Sequence, residues 1–440
     1  MSFDTLGLSP ALLRAIADQE YTEPTPVQAA AIPLVLAGND VMAGAQTGTG
    51  KTAAFTLPLL ERLYPGGVRD AAKVGRKPRA LILTPTRELA AQVQDSVRTY
   101  GRHLGAKSIT VFGGVGMTPQ IDALRRGVEI VVATPGRLLD HMQRRSVDLS
   151  GIEILVLDEA DRMLDMGFLP AMKRVLAALP RARQTLLFSA TFSSEIKGLA
   201  SQFMHEPQEI QIAKPNSVAT TVTHRVHPVD AESKRDLLLH LLESDAGQTL
   251  VFCRTKHGSD KLAKQLEKSG LRVAAIHGNK SQNQRTRALA DFKSGRIHVL
   301  VATDIAARGL DIDQLPRVIN FDLPMVPEDY VHRIGRTGRA GAEGLAISLV
   351  SRAEEGLLRD IRKLLKQDIA IDNVAGFEPS SALRLDGPST PGPRPPSGGR
   401  PHVRRPHAQQ GRGNGGEHAA GNKTRRRRGG GGGRPVAAKP

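Results

Sequence analysis

Two short segments of this chain carry residue types suited to phosphate and a divalent cation. Ala45-Gln46-Thr47-Gly48-Thr49-Gly50-Lys51-Thr52 precedes a helical pattern, and Asp158-Glu159-Ala160-Asp161 comes after the apolar run Ile152–Leu157, 107 residues beyond Lys51. Gly48 and Gly50 lack Cβ atoms, so backbone N–H groups can close around phosphate oxygens at the positive end of the helix. Lys51 would reach the β- and γ-phosphates, and Thr52 would place its hydroxyl on Mg²⁺. Asp158 can hold the same ion, largely through water, while Glu159 can orient and deprotonate an attacking water. Ala45 stands where such loops usually open on glycine. Either segment alone has a plainer explanation, a packing turn or a solvated helix cap. In this order on one chain they describe a Mg-nucleotide site.

A third segment, His332-Arg-Ile-Gly-Arg-Thr-Gly-Arg339, places three arginines within eight residues. An arginine presented to a γ-phosphate from a second domain stabilises charge in the transition state, worth roughly 10³–10⁵ in rate. A generic anion-binding turn is the alternative from spacing alone.

The elements that must position these residues alternate along the chain. Apolar β-like runs at Val41–Gly44, Ala80–Thr84, Ile109–Phe112, Glu129–Ala133, Ile152–Leu157 and Thr185–Phe188 fill the first half. Thr249–Cys253, Arg272–Ile276, Ile297–Val301, Arg317–Phe321 and Leu345–Val350 fill the second, with helical patterns such as Glu88–His103, Ser259–Ser269 and Ser281–Ser294 between runs. This alternation predicts an α/β protein of two parallel sheets, each of five or six strands, covered on both faces by helices. The first domain is placed at 1–212, a linker at 213–221, the second domain at 222–370, and a linker with a tail at 371–440. Only the first domain has a phosphate loop, so the second must act on nucleotide held by the first.

Composition narrows the function classes. The 440 residues suffice for two domains and an extension. The single cysteine, Cys253, excludes an intrachain disulfide and a cysteine-rich metal site. Met1–Glu20 has no continuous apolar core and no stretch approaches a membrane span, so a cytoplasmic protein without membrane contact is expected. The net charge is +17, of which residues 386–440 supply +10 from 12 Lys/Arg and two acids, alongside 14 Gly and nine Pro. That tail has too little apolar area to offset its conformational entropy, which predicts disorder. Its Arg425–Arg428 cluster suits salt-sensitive phosphate binding, with a purely solubilising role as the alternative.

Taken together, these motifs resemble those of DEAD-box RNA helicases, of the bacterial RhlE-like branch, over residues 3–370 in about ten ordered elements. The resemblance implies two RecA-like domains in tandem and ATP with Mg²⁺ as cofactors. It also implies the activity of an ATP-dependent RNA helicase, a monomer that binds single-stranded RNA and locally unwinds short duplexes by domain closure. An ATP-gated RNA clamp with little unwinding, or a DNA-directed translocase of the same superfamily, would use similar motifs. Ribosome or RNA-decay assemblies are candidate partners.

Residue by residue, Glu23-Pro-Thr-Pro-Val-Gln28 resembles the adenine-reading Q motif, with Gln28 on the base edge, Phe3 stacked on the base and Tyr21 beside it. Glu20 departs from the family's glycine. Pro85, Thr86 and Arg87 in Pro85-Thr-Arg-Glu-Leu89, Gly113 and Gly114, and Thr134, Pro135, Gly136 and Arg137 resemble the first domain's RNA-backbone contacts; His277-Gly278, Gln282 and Arg285, and Thr303 resemble the second domain's. Ser189-Ala-Thr191, with Asp161 and His332, matches the elements that couple the carboxylate loop to closure. Asp311 would touch the ribose and Asp304 belongs to the same segment. Lys51, Glu159, Arg336 and Arg339 would be catalytic, the two arginines facing the γ-phosphate, while His332 and Arg333 would serve the domain interface. Thr and Gly donors to phosphate position RNA without reading sequence. Aromatic residues make up only 3%, too few for base stacking to be the main grip.

Overall fold

The computed structural model describes residues 2–45, 48–67, 77–212, 222–245, 247–307, 310, 312, 315–338 and 343–385. The apolar runs of the first half become strands β1 (Val41–Gly44), β2 (Ala80–Leu83), β3 (Ser108–Val111), β4 (Ile130–Ala133), β5 (Ile154–Leu157) and β6 (Gln184–Ser189), joined at the edge by β7 (Gln208–Gln211). The second half contributes β8 (Val222–Pro228), β9 (Thr249–Phe252), β10 (Val273–Ile276), β11 (Val299–Ala302), β12 (Arg317–Asn320), β13 (Gly344–Val350) and β14 (Ala370–Ile371). The first sheet runs β3-β4-β2-β5-β6-β1-β7 and the second β10-β11-β9-β12-β13-β8-β14, with parallel pairing throughout. Adding seven to each strand number of the first order reproduces the second, so the two lobes share one topology.

Parallel strands require crossovers, and helices supply them. In the first lobe these are α1 (Pro10–Ala17), α2 (Pro26–Leu36), α3 (Lys51–Leu63), α4 (Arg87–Tyr100), α5 (Met117–Arg126), α6 (Pro135–Gln143), α7 (Ala160–Asp165), α8 (Leu169–Ala177) and α9 (Ser194–Phe203). The second lobe has α10 (Lys234–Glu243), α11 (Lys256–Lys268), α12 (Gln282–Lys293), α13 (Asp304–Ala307), α14 (Pro327–Ile334) and α15 (Glu355–Leu365). Starts are chemically marked. Thr86 accepts from the Leu89 N–H at 3.2 Å to cap α4, and Pro135 opens α6 directly after Thr134. Helices on both faces leave the central strands wholly buried, which explains their unbroken apolar character.

Register gathers the chemistry at one edge. Gly44 pairs with Ser189 and Leu83 with Leu157, so the segments after β1, β5 and β6 leave the sheet together. The Ala45 N–H donates to the Ser189 carbonyl at 3.1 Å, and the Asp158 N–H to Leu83 at 2.9 Å. This is the carboxyl end of an open parallel sheet, where ligands bind beside the reversal of strand order.

Each sheet has seven strands where five or six were expected. β7 is mostly exposed and polar, and β14 is a two-residue edge strand. β8 alternates inward Val222, His224 and Val226 with outward Thr223 and Arg225; its histidines and arginine masked a seven-residue pairing with β13. The placement of 371–385 in a linker also needs correction. Val374 and Phe377 pack on one core of the second lobe, Leu383 and Leu385 on another, and the Ser380 N–H donates to Asp230 at 3.0 Å. Isolated apolar residues in a polar stretch gave no periodic signal. The linker at 213–221 and the basic tail at 386–440 lie outside the described residues. Among the described residues, no helix is long and apolar enough to cross a membrane, and Cys253 is a buried free thiol.

Glu20 ends α1 in the left-handed region, at φ +57°. The Tyr21 N–H donates to Ile16 and the Glu20 N–H to Ala17, a helix terminus that favours glycine. Glu20→Gly should therefore stabilise the protein by about 1 kcal/mol, since a non-glycine left-handed residue costs about that much. The check is a higher urea midpoint with unchanged slope.

Candidate active site and nucleic-acid face

A cleft of about 580 Å³ lies above the carboxyl end of the first sheet. Gly48, Gly50, Lys51, Thr52, Asp158 and Glu159 line it. Gly48 and Gly50 have φ of +82° and +89°, and Gly50 begins α3. A Cβ on Gly50 would fall 2.5 Å from Gln28 Nε2, so only glycine suits both the backbone angle and the space. Ala45 is buried directly after β1, and Thr49 lies in the turn; Gln46 and Thr47 lie outside the described residues.

Lys51 and Asp158 are 7% and 3% exposed, yet Lys51 Nζ and Asp158 Oδ1 have no hydrogen-bond partner among the described residues. Burial pushes the Asp158 carboxyl up to about 7; Lys51 opposes that rise and Glu159 adds to it. A buried cation and a buried carboxylate oxygen, both open towards one cleft, fit a phosphate and a divalent cation respectively. Glu159 occupies the left-handed region at φ +51° on entry to α7. Strain of order 1–3 kcal/mol at such a residue persists where surrounding structure fixes it, commonly at active sites.

Asp161 turns away from the cleft. Its Oδ2 accepts from the Ala190 and Thr191 N–H groups, each at 3.0 Å, and from Thr191 Oγ1 at 3.2 Å. Ser189 Oγ accepts from the Asp161 N–H at 3.3 Å and donates to the Thr191 carbonyl at 2.8 Å. The two motifs thus move as one body.

At the far end of the cleft, Gln28 Oε1 accepts from the Thr25 N–H at 2.9 Å and Nε2 donates to the Gly50 carbonyl at 3.1 Å. The glutamine caps its own helix and holds the phosphate loop, leaving one amide hydrogen and one lone pair for a base. Tyr21 lines the cleft, 44% exposed, with its hydroxyl 3.5 Å from that of Tyr100. The expected stacking by Phe3 needs correction. Phe3 is 4% exposed within the apolar core and does not line the cleft. Its ring packs in the core with the N-terminal segment, and of the two tyrosines lining the cleft Tyr21 is the exposed one while Tyr100 is buried.

The second lobe completes the cleft with Leu310 and Arg336. Arg336 is buried, and its Nη1 donates to the Leu310 carbonyl at 2.7 Å. Arg339 and Asp311 lie outside the described residues. Arg333, expected at the domain interface, is instead internal to the second lobe. It pairs with Asp304 through Nε at 2.5 Å and Nη2 at 2.7 Å, donates to Asn320, and stacks 4.9 Å from the Phe252 ring centre. It fixes α14 to α13, and so indirectly aims Arg336. His332 does sit between the lobes, sharing a pocket with Asp161, Arg162, Thr191 and Asp329.

Arg162 was not singled out from the sequence. It is 7% exposed at its side chain and forms a 3.0 Å ion pair with Asp329 on α14, joining the lobes one residue beyond Asp161. Arginine after a carboxylate motif offers only a weak sequence signal, because its partner lies 167 positions away.

The expected RNA contacts divide into two groups. Pro85, Thr86 and Arg87, the turn at Gly113 and Gly114, and Thr134 to Arg137 come after neighbouring strands of the first sheet and converge on one edge. Arg87 lies so close to Gly114 that a Cβ there would meet its guanidinium at 1.8 Å. Gly278 and Thr303 likewise come after β10 and β11 of the second sheet. Gln282 and Arg285 are placed differently from the expectation. Gln282 Nε2 donates to Glu88 Oε1 at 2.8 Å, and Arg285 pairs with Glu88 Oε2 at 2.9 Å. Gln282 Oε1 also accepts from Arg87 at 3.3 Å. Their polar groups join the lobes at the edge where the segments expected to contact RNA converge. Glu88 was the unrecognised partner.

Residues 25–199 match the family profile described as "DEAD/DEAH box helicase", and residues 233–341 match "Helicase conserved C-terminal domain". The chain is 42% identical over 368 residues to the DEAD-box ATP-dependent RNA helicase CshA of Bacillus subtilis, covering 83% of this chain and 73% of that protein. It is 44% identical over 361 residues to DEAD-box ATP-dependent RNA helicase 30 of Arabidopsis thaliana, covering 81% of this chain but 60% of that relative's length. Among solved structures, S. cerevisiae Dbp5 bound to RNA and ADP BeF3 superposes with a TM-score of 0.76 at 34% identity, covering 84% of this chain and 95% of that one. The chain belongs to the DEAD-box helicase family, and its two sheets are tandem RecA-like domains.

Two measurements test this geometry. Phe3→Ala should lower stability by about 3–5 kcal/mol, as for other buried aromatics. Tyr21→Ala should instead raise KM for ATP about five-fold, the scale of a ring-stacking contact. The His332 imidazole is pushed down to about 3, first by burial and then by Arg162. Parting the lobes would remove Arg162 and Asp161 and readmit water, moving the ring back up towards its ordinary value of 6.5. Its contribution to the closed state is thus complete above pH 6.5 and lost as pH falls towards 3. Fluorescence transfer between labelled lobes should show closure weakening below pH 6.5, with a flatter profile in His332→Gln.

Proposed function

We propose that this chain is an RNA-stimulated ATPase that uses domain closure to open short RNA duplexes. One observation carries the reading: Arg336 of the second lobe lines the same cleft as Lys51, Asp158 and Glu159 of the first. A site assembled from both lobes turns over only when they meet, so whatever stabilises closure controls chemistry.

Within that closed cleft, Lys51 and the amides around Gly48 and Gly50 bind the β- and γ-phosphates of ATP. Thr52 and Asp158 are the residues that would hold Mg²⁺, which when bound neutralises phosphate charge. Glu159 aligns a water against the γ-phosphorus and takes its proton. Arg336 offsets charge developing on the transferred group, and Arg339 is assigned the same duty from its motif. Tyr21 and Gln28 hold the base, with Asp311 assigned to the ribose.

Single-stranded RNA lies along the edge formed by Pro85–Arg87, Gly113–Gly114 and Thr134–Arg137, continuing to Gly278 and Thr303. These contacts address phosphate and sugar, so binding is sequence-tolerant, and the 2′-hydroxyl favours RNA over DNA. Asp161 with Ser189 and Thr191, and Arg162 with Asp329, carry closure between the two sites. Each base-pair step resists opening by about 1–2 kcal/mol, so closure on one strand need separate only a few pairs. Hydrolysis reopens the lobes and releases RNA. Residues 386–440 add a salt-sensitive tether for RNA. Membership of the RhlE-like branch, a monomeric cytoplasmic state and service to ribosome or RNA-decay assemblies complete this reading.

The test pairs turnover with binding. Glu159→Gln should keep ATP and RNA affinity within about two-fold while lowering RNA-stimulated kcat by 10²-fold or more, the scale of a lost general base. Wild-type protein should separate a short RNA duplex only with hydrolysable or closure-supporting nucleotide. ATP- and RNA-dependent complex formation without strand separation would favour a clamp. Stronger ATPase stimulation by single-stranded DNA than by RNA would point to a DNA translocase.

A further inference from the structure

Away from the nucleotide cleft, the first lobe buries a chain of polar side chains that the reaction does not use. Gln120 on α5 is 6% exposed. Its Nε2 donates to the Phe112 carbonyl at 3.0 Å. Its Oε1 lies 3.0 Å from His141 Nε2 and accepts from Arg137 Nη1 at 3.4 Å. The same Arg137 nitrogen donates to the Val115 carbonyl at 3.1 Å.

His141 on α6 is fully buried, with Nδ1 2.8 Å from Ser146 Oγ. Burial, reinforced by Arg137 and Arg144, holds it below the usual histidine range, so the ring is neutral at physiological pH. An amide oxygen can only accept, which puts the ring proton on Nε2 and leaves Nδ1 as an acceptor beside Ser146 Oγ, whose hydroxyl also reaches the His141 carbonyl at 3.1 Å. Donors and acceptors then match from Ser146 through His141 to Gln120, and from Gln120 to Phe112.

The two ends of this network bracket the phosphate-contact segments. Phe112 and Val115 flank the Gly113-Gly114 turn after β3, and Arg137 closes the first turn of α6 after β4. Pairing of β3 with β4 fixes only where the two segments leave the sheet. Their separation above it is held from two sides, by Arg137 donating to Val115 and by Gln120, which bonds Phe112 as well as Arg137 and His141. Contacts to consecutive phosphates require a fixed spacing, and such constellations depend on the groups that support them.

We propose that Gln120 is a positioning residue for RNA, locking the Gly113-Gly114 turn to the start of α6 so that one strand engages both, without itself touching the nucleic acid. The inference rests on the RNA-stimulated ATPase reading above.

The experiment is RNA-titrated ATPase on the full chain, for wild type, Gln120→Ala and Gln120→Glu. Gln120→Ala strips partners from His141, Arg137 and Phe112 together. It should raise the half-stimulating RNA concentration about ten-fold, equivalent to about 1.4 kcal/mol. RNA-saturated kcat and KM for ATP should stay within about two-fold, because no nucleotide contact changes. Gln120→Glu keeps an acceptor for His141 and Arg137 but loses the donation to Phe112 and sets a carboxylate against that carbonyl. It should raise the RNA requirement by less than Gln120→Ala while staying above wild type.

An unmoved RNA requirement in folded Gln120→Ala overturns the proposal. So does a parallel loss of kcat and ATP affinity, which marks general damage. Should Gln120→Ala fail to fold, Gln120→Glu decides: it must raise the RNA requirement with ATP parameters unmoved, or the proposal falls. Wild-type ATPase indifferent to RNA would sink the functional reading itself, a result separable from all of these.

Discussion

Lys51 and Asp158 carry opposite charge into a buried cleft, and each keeps a polar atom without a partner among the described residues. Burying such groups is unfavourable unless something arrives to complete them. The surrounding elements hold them in that state: β1 and β5 deliver them from the interior of the sheet, Gly50 admits Gln28 against the phosphate loop, and Glu159 enters its helix in a strained conformation. Leaving the cleft incomplete makes nucleotide the natural stabiliser of the site. The same logic extends to the second lobe, whose Arg336 and Leu310 close the cleft's open side.

Coupling arises from where neighbouring residues point. Asp158 and Glu159 face the cleft, Asp161 faces the Ser189–Thr191 turn, and Arg162 reaches across to Asp329. Four residues within five positions therefore face the cleft, the Ser189–Thr191 turn and the second lobe. On the opposite rim, Glu88 binds Gln282 and Arg285, beside Arg87 and the Gly113-Gly114 turn. Both interlobe joints are side-chain ion pairs and hydrogen bonds rather than a continuous apolar core. Once the lobes part, such groups are solvated by water instead, so a closed state resting on them can be made conditional on ligands.

The lobes share one strand order but differ in the turns that leave corresponding strands. After β1 comes the glycine-rich loop; after β8, at the matching place, comes the turn Val229–Ser233 into α10, without glycine. One lobe can therefore cradle phosphate and the other can only reach towards it. Of the motif's described arginines, Arg333 is bound to Asp304 and Asn320 within its own lobe, while Arg336 lines the first lobe's cleft.

Contiguous chemistry was readable along the chain. Phosphate binding needs glycines, a lysine and a threonine within eight positions, and that spacing is visible without a fold; so are apolar strands buried on both faces. Strands exposed on one side were harder: β8 hides its alternation behind histidines, and β7 and β14 are too polar or too short. Partnerships between distant positions were not readable at all. Phe3 resembles a base-stacking ring in sequence but packs within the core, and the side chains of Gln282 and Arg285, which resemble RNA contacts, meet Glu88. Arg162 carries only a weak signal and Gln120 none, because their partners lie far along the chain or on a neighbouring loop. Residue type and local spacing specify which reactions are chemically available. Which polar group meets which partner, and which ring is left facing the cleft, depends on three-dimensional proximity that a linear pattern does not encode.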